Sequence, residues 1–124
     1  MVATLKTDVI EKFDGSPVDL TGQSAAKAWS NLNTSSGFSV AGSFNVSSGV
    51  DKGTGKAQIN FTSLMLNNAY SNQVTSIHGV SIGHEANESA FTRTAAAVSV
   101  WNKDYNGNYG GAYSVSSVVH GDLA

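Results

Sequence analysis

The stretch SFNVSSGVDKGTGKAQINFTS, residues 43–63, decides the fold class. Phe44, Val46 and Val50 share one parity, while Asn45 and Ser47 take the other. Ala57, Ile59 and Phe61 then alternate with Gln58, Asn60 and Thr62. A period of two sends alternate side chains to opposite faces of a strand, one towards a core and one towards water. Between the two runs, DKGTG has hairpin-loop length and offers Gly53 and Gly55 where the backbone needs positive φ. The expectation is an antiparallel hairpin with Phe44, Val46, Val50, Ala57, Ile59 and Phe61 facing a core.

Strand and turn signals continue on both sides. Towards the N-terminus, Asp14-Gly15-Ser16-Pro17 marks a turn between two short apolar runs. QSAAKAWSNL reads as a strand or one helical turn, with Trp29 and Leu32 heading inward. Further on, a short strand is expected around Val74 to Ile77, then Val80 and Ile82 after Gly79. SAFTRTAAAVSVWN reads as a longer strand, apolar on both faces near its end. Such a strand is covered on both sides, by a second sheet or another subunit. KDYNGNYGG is a loop, and AYSVSSVVHG a last strand with Tyr113, Val115 and Val119 on one face. Many short strands with Gly/Asn turns indicate an all-β antiparallel sandwich.

Composition narrows the function. In 124 residues there are 13 Gly, one Pro and no Cys, and charged side chains make up 13%. That length suits one domain with a modest core. The absence of Cys removes disulfides and thiolate chemistry, so stability has to come from the core or from assembly. A net charge of −2 without a basic cluster argues against nucleic-acid binding. No apolar run approaches the roughly 20 residues that span a bilayer. MVATLKTDVIEK lacks the cationic start and apolar run of a secretory signal, so the chain is expected to stay in the cytoplasm that makes it or to leave by lysis.

The wording of AAKAWSNLN…SFNVSSGVDKGTGKAQINFTS…NNAY carries a resemblance. It is similar to a module at the ends of bacteriophage tail fibres and related virion fibre proteins, notably in phages of cyanobacteria. Matching positions include Lys27, Ala28, Trp29 and Asn31, then Phe44 to Ser48. Asp51, Gly53, Thr54, Gly55, Asn60, Phe61, Thr62, Met65, Asn68, Ala69 and Tyr70 follow. The likeness covers residues 17–75 well and VVHGDLA loosely. WSNLN departs from the module's usual WVNFN, and Lys56 stands where an acidic residue is usual.

The resemblance implies a virion structural protein, a homotrimer built on a fibre axis, assembled in the host cytoplasm. Its jelly-roll-like sandwich, residues 21–124, would form the tip. Residues 1–20 would anchor it to capsid, baseplate or tail, through Leu5, Val9, Ile10 and Phe13. Phe91, Val98 and Val100, on the strand covered on both faces, are the candidate subunit-interface residues. Two other readings stand beside this one. A capsid decoration protein would need no receptor, and a free carbohydrate-binding module no particle.

WNKDYNGNYGGAY spaces Trp101, Tyr105, Tyr109 and Tyr113 by four, with Asn and Gly between. Exposed aromatics stack on sugar rings and Asn amides bond hydroxyls. Trp101, Asn102, Tyr105, Asn106, Asn108 and Tyr109 are therefore the candidate receptor contacts, a host-surface glycan or protein being the partner. The plainer alternative packs Trp101 and Tyr113 in the core and leaves Tyr105 and Tyr109 on a turn. His78, His84, Glu85 and Glu88 have no recognised metal spacing, and GHEANE reads as loop, so ordinary surface polarity is the better account and no metal or cofactor is expected. His120 and Asp122 sit too close to the C-terminus to suggest a built catalytic site, so an enzyme is not expected.

Overall fold

The computed structural model describes residues 25–35, 37–77, 82–85, 93–110 and 114–124, the side chains of 82–85 excepted. The expected N-terminal hairpin, the anchor residues Leu5, Val9, Ile10 and Phe13, and also His78, Val80, Glu88, Phe91 and Tyr113, lie outside these residues. Eight strands are described: β1 (Ala28–Asn33), β2 (Ser39–Phe44), β3 (Val46–Asp51), β4 (Lys56–Phe61), β5 (Ser71–Ile77), β6 (Ile82–Glu85), β7 (Ala97–Lys103) and β8 (Ser114–His120). Among the described residues there is no helix. The strands form two four-stranded antiparallel sheets, in the orders β2-β1-β8-β5 and β3-β4-β7-β6.

One core joins the sheets. Ala28, Leu32, Val115 and Val119 contribute from the first, and Ala57, Ile59, Phe61, Val98 and Val100 from the second. Met65 and Tyr70, from the connection between β4 and β5, complete it. The alternation expected of Ala57, Ile59 and Phe61 is present along β4, where every second residue is buried. Along β8, Val115, Ser117 and Val119 are buried in the same way.

The first half of the decisive stretch behaves differently. It is not one strand but two, because Asn45 adopts φ 52° between β2 and β3. The chain therefore leaves the first sheet at Phe44 and joins the second at Val46. The change of sheet resets the alternation, so Phe44 is 55% exposed instead of facing the core. Val46 still packs against the core, partly buried.

Asn45 holds this crossing together. Its Nδ2 donates to the Lys27 carbonyl at 2.9 Å and the Ser63 carbonyl at 3.2 Å, and its Oδ1 accepts from the Ser63 N–H at 2.7 Å. Asn tolerates the left-handed region better than most residues because its short amide can bond nearby backbone. The side chain thus ties β1's approach, the sheet crossing and the end of β4 at one point.

Other expectations shift for equally local reasons. QSAAKAWSNL supplies β1, a strand, and Leu32 is fully buried. Trp29 is 42% exposed, because residues three apart on a strand point to opposite faces. The long strand expected from Ser89 onward is described only from Ala97: the Thr94 hydroxyl accepts from the N–H groups of Ala96 and Ala97, making a turn. His84 and Glu85 fall on β6, not on a loop. Val98 and Val100, expected at a subunit interface, are buried in the chain's own core, where β7 runs between β4 and β6 and faces the other sheet.

Candidate functional site: the loop end of the two sheets

The β3–β4 turn begins with Asp51, whose Oδ1 accepts from the Gly53 N–H at 2.8 Å. Gly53 and Gly55 both take positive φ, as their places in the turn suggested. Gly55 has a second constraint. Its carbonyl accepts from the Asn102 N–H at 2.7 Å. A Cβ there would stand 2.5 Å from the Gly110 oxygen. The turn is thereby docked on the segment that follows β7.

That segment, residues 104–110, is a built loop. Asp104 Oδ1 accepts from the N–H of Asn106 at 2.8 Å and of Asn108 at 2.9 Å. Asn108 Nδ2 donates to Asp104 Oδ2 at 3.2 Å. The backbone closes the same ring, the Asp104 N–H donating to the Asn108 carbonyl at 2.9 Å. Gly107, at φ 84°, makes the reversal possible. The hydrogen bonds from the Asn108 backbone and side chain, with those from Asn106 and Gly107, hold the exposed Asp104 carboxyl below its usual range.

At the foot of the loop, Asn102 Nδ2 donates to the Gly110 carbonyl at 2.7 Å and the Gly110 N–H donates to the Asn102 carbonyl at 3.2 Å. Trp101 meets Tyr109 edge to face, with ring centroids 5.3 Å apart. Two cations sit over this pair. Lys56 Nζ lies 4.0 Å and Lys103 Nζ 4.5 Å from the Tyr109 centroid. Strand register explains the grouping: Lys56 pairs with Trp101 across β4 and β7, and Lys103 lies two residues on, on the same face. Each such contact contributes about 0.5–1 kcal/mol.

The six proposed receptor contacts therefore divide. Tyr105 is 73% exposed, and Asn106 and Asn108 are exposed beside it. Trp101 and Asn102 are buried and serve as the loop's footing, which corrects their assignment as contact residues. Tyr109 is half-buried between footing and surface. Sequence reasoning missed Lys56 and Lys103, since β4–β7 register is a long-range pairing that no local spacing reveals. It also missed a polar cleft of about 360 Å³ beside the turn, lined by Thr34, Ser35, Phe38, Asp51 and Thr54 among others.

Among the described residues no three His, Asp or Glu side chains gather as a metal cluster. Nothing is described of the His84 or Glu85 side chains. His120 ends β8 at the opposite end of the sheets, where the Asp122 carbonyl accepts from the Leu66 N–H. Chemically, the loop end offers an exposed phenol ring and two amides on a braced support. No protein-family model, curated protein or solved structure matches this chain.

Proposed function

We propose that the chain is a structural subunit of a bacteriophage virion, part of a short trimeric fibre or appendage of the sandwich type, and that its 104–110 loop contacts the host surface. The observation that carries this reading is the loop itself. Tyr105, Asn106 and Asn108 are presented together, and Asp104 fixes their backbone before any ligand arrives. Preorganised aromatic and amide groups suit a saccharide, or a protein loop of similar polarity, at low ordering cost.

The opposite end of the sheets suits attachment to the particle. There the Lys27 N–H, just ahead of β1, donates to the Val119 carbonyl at 2.8 Å. Leu64, Leu66 and Leu123 are exposed at this end, on two segments that pair through a bridge between Met65 and Leu123. In this reading residues 1–20 are the anchor. The resemblance to fibre modules supports the same reading, since its shared Phe44–Ser48 wording contains the Asn45 crossing.

The test is antibody labelling of particles of the phage whose genome encodes the chain. Label confined to fibre or appendage tips is expected. Even label over the shell would replace this reading with a decoration protein, and unlabelled particles would overturn it.

A further inference from the structure

Among the described residues, one flank carries little charge. Between Lys27 and Asp51 there is no Asp, Glu, Lys, Arg or His. That run makes β1, β2 and β3 as far as Val50, so the absence of charge in sequence becomes a nearly uncharged side in space, with the exposed Asp51 at the end of β3. Both β2 and β3 are the outer strands of their sheets among the described residues. An outer strand presents unpaired N–H and C=O groups, and soluble proteins usually guard such edges with Lys, Pro or inward charges. β2, Ser-Val-Ala-Gly-Ser-Phe, has none of these. Only a bulge opposite Asn31 and Leu32 interrupts it.

The same flank exposes large apolar side chains in register. Phe44 pairs with Trp29 across β2 and β1, and both are substantially exposed. Val40 is exposed near the other end of β2. We infer that this flank is the surface one copy of the chain presents to the next. The argument for a second copy is electrostatic. Copies gathered on a three-fold axis bring like residues of neighbouring chains close together, and β1, β2 and β3 as far as Val50 hold no charge to oppose there, whereas a charged partner would gain nothing from them. The inference rests on the oligomeric part of the proposed function and relocates its interface from β7 to β1–β3.

Light scattering after size exclusion tests it on the full chain, with Phe44→Lys, Ala41→Lys and Ile77→Lys alongside. Ala41 is exposed on β2, and Ile77, 69% exposed, lies on β5 at the far edge of the first sheet. The wild type is expected at three times the 12.8 kDa chain mass. Phe44→Lys and Ala41→Lys are expected at the mass of one chain with unchanged far-UV circular dichroism, and Ile77→Lys to stay assembled. If both flank variants stay assembled, the interface lies elsewhere, although the fibre reading survives. A wild-type monomer overturns the inference and the trimer together. Particle labelling is independent of either result.

Discussion

Asn45 shows how much one residue determines here. Its backbone turns the chain from one sheet to the other at φ 52°, and its amide bonds the backbone on two sides of the crossing. Two energies are separable by substitution. Asn45→Gly keeps the positive φ and loses the side-chain bonds; Asn45→Ala loses both. Urea unfolding should rank wild type above Gly and Gly above Ala, with Ala about 2–3 kcal/mol below wild type. Equal stability of the Gly and Ala variants would show that the backbone is not strained there.

Asp104 acts on a smaller piece of structure. Its carboxylate accepts two backbone N–H bonds, and those bonds lower its pKa. A group whose folded pKa is depressed contributes ordering that is present above the unfolded value and disappears as pH falls through the folded one. Acidification from neutral to below the ordinary aspartate range should therefore lower the protection factors of the Asn106 and Asn108 amides selectively, each taken against the intrinsic exchange rate at that pH. Asp104→Ala should do the same at neutral pH, without moving the midpoint of global unfolding. Amide exchange followed by NMR reads both, and protection that is insensitive to both would contradict the assigned brace.

At the scale of elements, β7 separates two accounts of the same sequence. Its apolar residues on both faces suggested a subunit interface, yet Val98 and Val100 fill the core this chain builds alone. Val98→Asp should cost about 4 kcal/mol or more and unfold the chain instead of splitting an oligomer. Circular dichroism and light scattering on one sample would tell the two apart. A folded Val98→Asp monomer would restore the interface reading. The strands β4, β5, β7 and β8 were legible because their alternation or apolar run is local. The sheet change at Asn45 was not, since SFNVSS alternates without interruption as written and only the dihedral angle of Asn45 breaks it. The exposed part of the site, Tyr105, Asn106 and Asn108, was legible from turn chemistry. Its footing, where Lys56 and Lys103 meet Trp101 and Tyr109, depends on strand register and was not.

The whole molecule has two ends with different chemistry. One carries the docked β3–β4 turn and the braced loop, and the other the apolar Leu64, Leu66 and Leu123. Sheets fixed by a shared core hold the two apart, so a change in the loop leaves the body intact. The account's central claim, that this loop meets the host, is tested most directly by binding of labelled protein to whole bacterial cells, cyanobacteria included. Wild type is compared with a variant carrying Tyr105→Ala, Asn106→Ala and Asn108→Ala. The account predicts saturable binding to one host that falls at least about tenfold, or about 1.4 kcal/mol, in the variant while its thermal unfolding is unchanged. Equal binding of wild type and variant would contradict it.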